Sequence, residues 1–463
     1  MRIRFWGTRG SLAKPGSTTV RYGGNTSCVE MRTADDTLIV LDCGTGAHEL
    51  GLALSRGDTA SVHGHLLISH THWDHIQGFP FFAPLFVPAN VWDIYAPGGL
   101  GKHLEGTLAG QMEYAYFPVT LDQLGATIRF HDLVEGVVEL GDVHVSTRYL
   151  NHPALTLGYR LESGGVVVIY ATDHEPHAWP QPEGSSQSGA GPNPLPVHRE
   201  DQRHIEFLRG ADLVIHDAQY TAAEYPQKMG WGHSPMEYTV DVALAAGVKR
   251  LALFHHDPLR DDVALDHLVE VCRQRVVAAH GTLEVFAAAE GQVVELSERI
   301  GISPQGTEGS GAGADHDLDA ATPSRETVLI VDDEPDIVNL LLATLAPEGY
   351  QLLFAHDGEA ALHMARDVRP SLILLDWRMP GKDGLEVCRA LRDDPDPLLR
   401  EVPVVLLTAQ VGKDNIAAGF SAGVTDYLTK PFKPAYVRSR VRGWLLRSRP
   451  DASGETSPNT VPP

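Results

Sequence analysis

Four residues able to bind a metal fall within six positions of Ser69-His70-Thr71-His72-Trp73-Asp74-His75. Imidazole and carboxylate donors of this kind suit zinc, manganese or iron. The stretch follows Leu66-Leu67-Ile68, an apolar run that reads as a buried strand. In extended chain, residues two apart point the same way. His70, His72 and Asp74 are therefore expected to converge, and His75 to open the following helix. A lone histidine is more often a satisfied core or surface residue, but this spacing after an apolar strand points to a metal.

A binuclear site needs further donors from distant loops, and they occur where apolar strands end. Asn151-His152-Pro153 follows a strand ending near Leu150, and Asp173 follows Ile169-Tyr170-Ala171. His255-His256-Asp257 follows Leu251-Ala252-Leu253-Phe254, and either histidine of that pair could be the ligand. Two divalent ions a few ångströms apart would activate a water and bind a phosphoryl oxygen.

This arrangement, His-x-His-x-Asp-His and then a His, an Asp and a final His, resembles the metallo-β-lactamase fold superfamily. Trp6-Gly7-Thr8-Arg9-Gly10-Ser11, Tyr22-Gly23-Gly24-Asn25-Thr26-Ser27 and Leu41-Asp42-Cys43-Gly44-Thr45-Gly46 are similar to its phosphodiesterase branch, which includes ribonuclease Z and bacterial cyclic phosphodiesterases. The resemblance covers roughly residues 1–298. It implies an αββα sandwich in which His70, His72 and His152 bind one metal, and Asp74, His75 and His255 the other. Asp173 would bridge them, and a carboxylate there favours the phosphodiesterase branch. The resemblance further implies Asp74, His233 and Asp217 as catalytic groups, with Asp217 orienting His233 toward the leaving group. Only Gly232-His233-Ser234 matches that last element, because Pro235 stands where the branch commonly has Thr. The alternative for the pair is a hydrogen-bonded loop histidine, and His174, His177 and His216 are expected outside the ligand set.

A second set of chemistry-bearing residues lies further along. Val328-Leu329-Ile330-Val331 ends in Asp332-Asp333-Glu334, and Leu372-Ile373-Leu374-Leu375 ends in Asp376, followed by Trp377-Arg378-Met379-Pro380. Leu406-Leu407-Thr408 and Tyr427-Leu428-Thr429-Lys430-Pro431 end two more strands. In a parallel sheet these ends share one edge. Three clustered carboxylates need a cation, and oxygen donors select Mg²⁺. Ionised Asp376 could then attack a phosphoryl donor.

Residues 326–446 resemble a two-component response-regulator receiver domain with a flavodoxin-like (βα)5 fold. The resemblance implies Asp376 as phospho-acceptor and Asp332, Asp333, Thr408 and Lys430 as the pocket. Mg²⁺ would be held by Asp333, Asp376 and the main-chain carbonyl of Arg378. It also implies a sensor histidine kinase or phosphotransfer protein as partner, and Tyr427 as an aromatic switch.

The elements that must position these groups differ between the two parts. Residues 1–300 alternate short strands with Gly turns. Strands are expected at Thr37–Leu41, His65–Ile68, Val143–Arg148, Val166–Tyr170, Leu213–His216, Leu251–Phe254 and Leu283–Phe286, and helices at His75–Phe82, Asp201–Leu208, Met236–Ala246 and Asp262–Val277. Residues 326–446 alternate five apolar strands with amphipathic helical segments, the pattern of a parallel sheet covered on both faces. Those strands are expected at Thr327–Val331, Gln351–Phe354, Ser371–Leu375, Val402–Leu407 and Val424–Leu428. Residues 301–325 are Gly-, Ser- and Asp-rich and read as a flexible linker. The tail 447–463 reads as disordered, and Pro180–Pro196 as a Pro/Gly/Ser-rich surface insertion.

Composition narrows the partners. Of the net charge of −23, residues 1–300 carry 21 Lys/Arg against 36 Asp/Glu (−15), and residues 326–446 carry 13 against 18 (−5). Neither has the basic field of a nucleic-acid binder, so a large nucleic acid is not expected as substrate. A metal pair creates its own positive field, so a small phosphodiester or nucleotide is. No apolar run spans a bilayer and the start has no signal-peptide pattern, so cytoplasmic location without membrane contact is expected. Cys28, Cys43, Cys272 and Cys388 show no paired spacing and are expected as thiols.

The leading expectation is a response regulator whose output is a binuclear-metal phosphodiesterase, loaded with zinc, manganese or iron and set by phosphorylation of Asp376. Because a Gly-rich linker transmits strain poorly, control through a homodimer or through docking of the receiver fits better than a rigid lever. The alternatives are a tRNA 3′-processing nuclease, which would need a basic extension the acidic first part lacks, and a non-catalytic phosphorelay adaptor. Thioesters, lactones and sulfate esters are further substrates of the same fold.

Overall fold

The computed structural model describes residues 1–56, 61–98, 104–177, 198–297, 326–408, 422–432 and 434–447. The expected linker 301–325, insertion Pro180–Pro196 and tail beyond Ser448 lie outside these residues. The chain divides into two compact units, Met1–Ala321 and Thr322–Pro463.

The first unit is built on two seven-stranded sheets. The first contains β1 (Arg2–Gly7), β2 (Cys28–Arg32), β3 (Leu38–Leu41), β4 (His63–Leu67), β5 (Val91–Pro97) and β6 (Thr127–Leu133). The second contains β7 (Gly136–Leu140), β8 (Val143–Tyr149), β9 (Leu157–Ser163), β10 (Val166–Ala171), β11 (Leu213–Asp217), β12 (Arg250–Phe254) and β13 (Glu284–Ala287), after which β14 (Val293–Glu295) returns to pair with β1. β3 to β6 are mutually parallel, as are β10 to β13. The apolar runs of β3, β5, β10, β11 and β12 are buried on both faces, as central parallel strands require.

Helices cover the outer face of each sheet. Helix Ala47–Ser55 packs its Ala47 and Leu50 with Leu38, Val40 and Leu66 of the first sheet. Helices Arg199–Leu208, Met236–Ala245 and Asp262–Ala278 pack with Ile169, Val214 and Leu251 of the second. The inner faces meet through Phe5 and Phe254, whose rings lie 6.2 Å apart. Two buried tyrosines cross the same space: Tyr159 Oη donates to Ile68 O at 2.7 Å, and Tyr170 Oη to Asp42 at 2.7 Å. The result is the expected αββα sandwich.

Two local expectations are corrected. β4 ends at Leu67, so His70 and His72 lie on irregular backbone rather than extended strand. The helix expected over His75–Phe82 is only Trp73–Ile76, followed by 3-10 turns at Phe79–Phe81 and Ala83–Phe86. Pro80 and Pro84, which lack the donor a continuing helix needs, account for the break.

The second unit is a five-stranded parallel sheet of β15 (Thr327–Val331), β16 (Gln351–Ala355), β17 (Leu372–Asp376), β18 (Val404–Thr408) and β19 (Asp426–Thr429). Its order, β16-β15-β17-β18-β19, is that of a flavodoxin-like doubly wound fold. Two apolar clusters lie on its opposite faces. One joins Leu329, Ile373 and Leu406 to helices Gly358–Val368 and Gly384–Arg392. The other joins Ile330, Leu374 and Leu407 to helices Pro335–Leu345 and Pro434–Arg447. Order reverses beside β15, so the carboxyl ends of β15 and β17 flank a crevice there.

Candidate functional site

The topology brings the first unit's donors together. β10, β11 and β12 are parallel, and β8 runs with them because β9 is antiparallel to both β8 and β10. Their carboxyl ends therefore share one edge, and His152, Asp173, Asp217 and His255 sit just beyond or at those ends. The parallel pair β3 and β4 delivers Asp42 and the His70–His75 loop from the other sheet.

His70, His72, His152 and Asp173 present donor atoms within 4.8 Å of one another, as do Asp74, His75 and His255. Asp173 faces both groups with different oxygens. Its Oδ2 lies 3.6 Å from His70 Nε2 and 3.7 Å from His152 Nε2, while its Oδ1 lies 3.2 Å from both His75 Nε2 and His255 Nε2. His255 Nε2 is also 3.1 Å from Asp74 Oδ2. His256 points elsewhere: its Nε2 donates to Ala288 O at 2.9 Å, and burial lowers its pKa to about 3. Geometry thus selects His255 from the pair that the sequence left open.

The residues fit a pair of divalent ions. His70 Nε2 and His75 Nε2 are buried without a hydrogen-bond partner, which a neutral imidazole in an apolar setting would avoid but a metal ligand does not. Burial pushes His70 well below the usual imidazole range and His152 to about 3, so both favour the neutral form that binds metal. Burial would also lower His75, but Asp74, Asp173 and Asp42 overcome it and raise it well above normal. Burial likewise opposes ionisation of Asp74 and Asp173, yet the surrounding histidines hold both well below the usual carboxylate range. The carboxylates are arranged to favour positive charge among the histidines.

The convergence that extended strand geometry would have supplied is instead imposed by Asp42, whose role the sequence reading missed. Its buried carboxylate accepts from Ser69 N at 2.6 Å, Ser69 Oγ at 2.9 Å, His75 Nδ1 at 2.7 Å and Tyr170 Oη at 2.7 Å. This folds the loop after β4 back and aims His75 Nε2 into the cluster. His152 is aimed similarly, donating from Nδ1 to Gly232 O at 2.9 Å. A Cβ on Gly232 would lie 2.1 Å from His152 Nδ1, and one on Gly10 would lie 2.4 Å from His255 Nδ1, so neither position accommodates a side chain. Ser11 N donates to Asp74 Oδ2 at 2.7 Å. Ser11, Asp42, Asp173 and His255 all hold positive φ, between 55° and 60°, a concentration of backbone strain typical of a working site. Gly10, Ser11 and Asp42 lie in motifs that carried the resemblance, which is the signal that could have found them.

Outer hydrogen bonds of this kind set ligand basicity and orientation. Asp42→Ala is expected to weaken metal binding roughly 10- to 100-fold, measured by competition with a chromophoric chelator.

His233 and Asp217 join the same cluster. His233 Nδ1 donates to Asp217 Oδ2 at 2.7 Å, and its ring stacks 4.9 Å from that of His255 and lies 5.4 Å from that of His152. Burial would lower His233, but Asp217 raises it to about 9. His174 and His216 stay outside: His174 stacks on His204 with centroids 3.9 Å apart, and His216 Nε2 pairs with His204 Nε2 at 2.9 Å.

In the second unit, Lys430 Nζ reaches Asp332 Oδ2 at 2.7 Å and Asp376 Oδ1 at 2.6 Å. Arg378 N donates to Asp376 Oδ2 at 2.7 Å. Asp332, Asp376 and Thr408 are buried, whereas Asp333 is exposed beside them. Burial raises the Asp376 pKa, with Asp332 adding to the shift and Lys430 opposing it. Burial would lower Lys430, but Asp332 and Asp376 raise it. The Trp377 and Tyr427 rings lie 6.1 Å apart. The pocket is oxygen-rich and suited to Mg²⁺.

Comparison with known proteins agrees with both units. Residues 37–188 match the beta-lactamase superfamily domain, and residues 328–442 the response regulator receiver domain. The chain thus joins a metallo-β-lactamase-fold domain to a C-terminal receiver domain. DNA-binding response regulator MtrA of Mycolicibacterium smegmatis is 40% identical over 27% of this chain and 52% of its own. The phosphate regulon transcriptional regulatory protein PhoB of Pseudomonas aeruginosa is 39% identical over 28% and 55%. The chain spans about half the length of these curated relatives. The metallo-beta-lactamase fold protein YhfI of Bacillus subtilis is 17% identical, with 63% of this chain and 98% of that one covered and a TM-score of 0.44. No helix among the described residues is long and apolar enough to cross a membrane.

Proposed function

We propose that residues 1–300 form a binuclear-metal phosphodiesterase and that residues 326–446 form a receiver that sets its activity through phosphorylation of Asp376. The observation that carries this reading is Asp173, which turns one oxygen to each of two donor groups beside the His233–Asp217 pair. His70, His72 and His152 would hold one ion and Asp74, His75 and His255 the other, with Asp173 between them. Zinc suits this nitrogen-rich set best, and manganese or iron also fits. When bound, such a pair supplies Lewis acidity toward a phosphoryl oxygen and lowers the pKa of attacking water.

The remaining work falls to the chain itself. Asp42 and Gly232 O fix the rings of His75 and His152, keeping the donors in place without reorganisation during the reaction. Asp217 holds His233 with its Nδ1 proton engaged and its pKa raised, so the ring is protonated at neutral pH. His233 Nε2 then donates its proton to the leaving alkoxide as the ester P–O bond breaks.

This assigns His233 a leaving-group role with a specific signature. His233→Ala is expected to slow phosphodiesters with alkyl leaving groups by roughly 10²–10⁴-fold. Bis(p-nitrophenyl) phosphate, whose leaving group needs no proton, should be cleaved nearly as fast as by wild type. The alkyl-ester rate of wild type should also decline as pH rises through the His233 pKa, while the nitrophenyl rate does not. Equal losses on both substrates would remove His233 from this role.

In the receiver, Asp376 would take a phosphoryl group from a histidine kinase or phosphotransfer protein. Its carboxylate oxygen forms the new P–O bond as the P–N bond to the donor imidazole breaks. Lys430 neutralises charge on the acyl phosphate and Thr408 hydrogen-bonds its oxygens.

A further inference from the structure

We infer that the first unit carries another divalent-metal site, at His177, His198 and Asp201, separate from the His70–His255 cluster and independent of the hydrolytic reading. The three residues present donor atoms within 4.8 Å of one another. His198 caps helix Arg199–Leu208, and Asp201 lies in its first turn. The His177 and His198 rings are stacked, with centroids 5.2 Å apart and planes 12° from parallel.

One observation points to a ligand. The His177 side chain is 7% exposed, and its Nδ1 is buried without a hydrogen-bond partner. That atom faces Asp201 Oδ1 at 3.6 Å, beyond hydrogen-bond length. The Asp201 side chain is fully buried, and its Oδ1 accepts from His177 N at 3.0 Å and Tyr238 Oη at 2.9 Å. Two imidazoles and a carboxylate form a set that binds zinc, with a fourth position left for water. Zinc at about 2.0–2.1 Å from each donor would draw them to roughly 3.4 Å apart, a movement that small imidazole rotations supply. The helix N-terminus opposes a cation, but its partial charge is smaller than the full charge of the Asp201 carboxylate.

Such an ion would join the chain at His177 to the chain at His198, across the Pro/Gly/Ser-rich residues between them. It would also anchor a route toward the larger cluster. His174 Nδ1 accepts from Asn151 N at 3.2 Å, its Nε2 donates to Tyr238 Oη at 3.3 Å, and Tyr238 donates to Asp201. Asn151 immediately precedes His152.

The test uses the full chain, stripped of metal and held in excess Mg²⁺ so that the receiver pocket does not take up zinc. Zn²⁺ is titrated against a chromophoric chelator, and bound equivalents are counted for wild type, His177→Ala and Asp201→Asn, with circular dichroism confirming the fold. Wild type is expected to bind one equivalent more than either variant. Equal stoichiometry and affinity in folded variants would overturn the site. Should either variant fail to fold, His198→Gln serves instead under the same criterion. Because the criterion is a difference of one, it is unaffected by how many ions the His70–His255 cluster takes.

Discussion

Replacing Asp173 with asparagine is expected to abolish metal-dependent hydrolysis while leaving the fold intact. The residue sits at φ 55°, a left-handed conformation that asparagine tolerates almost as well as aspartate. The amide is nearly isosteric, so packing in this buried position is retained. What is lost is the charge that both donor groups face, and with it the bridging oxygen on one side. A metal supplies several kcal/mol of transition-state stabilisation, so losing one corresponds to a rate loss of roughly 10³–10⁴-fold. The loss should appear in kcat/KM with the thermal transition of the metal-free protein little changed. Metal content by mass spectrometry should fall in parallel. An active Asp173→Asn protein would show that the carboxylate does not join the two groups.

The second large effect concerns the receiver. Asp376→Asn should eliminate incorporation of phosphoryl groups from acetyl phosphate, measured by intact mass. The nucleophile is the ionised carboxylate, and Lys430 Nζ holds Asp376 Oδ1 at 2.6 Å. Burial raises the Asp376 pKa, so incorporation into wild type should rise with pH through that value as the carboxylate ionises. Lys430→Met tests the other half of the pair. Its Nζ lies between Asp332 and Asp376, so removal leaves two buried carboxylates without their cation. Breaking a buried pair in this way costs about 3–5 kcal/mol, which thermal denaturation would register. Incorporation at another residue in Asp376→Asn would contradict the assignment.

The donors were legible because each lies at the end of an apolar run, and parallel strands carry their carboxyl ends to one edge. His152, Asp173 and His255 could be read that way with no knowledge of the loops between them. Extended-strand geometry does not bring His70, His72 and Asp74 together, since the strand stops at Leu67 and Asp42 folds the loop. That contact joins residues far apart in sequence and leaves no periodic trace. Gly10 and Gly232 matter only because rings from distant segments press on them, so their spacing alone could not reveal it. Strands such as β6 and β7 escaped the reading because partial exposure blurs their alternation. The choice between His255 and His256 needed coordinates, because only geometry shows that His256 is engaged by Ala288.

The receiver was read more completely. Its three central strands β15, β17 and β18 are buried almost throughout, helices Gly358–Val368 and Gly384–Arg392 are amphipathic, and the pocket residues follow strand ends. Asp333, unlike Asp332, Asp376 and Thr408, stands exposed.

The most direct test of the account is the rate of bis(p-nitrophenyl) phosphate hydrolysis by the zinc-loaded full chain, with and without acetyl phosphate and Mg²⁺, in wild type, His72→Ala and Asp376→Asn. The account predicts turnover that requires His72 and that acetyl phosphate changes in wild type but not in Asp376→Asn. Absence of metal-dependent turnover, or a rate indifferent to acetyl phosphate in wild type, would contradict it.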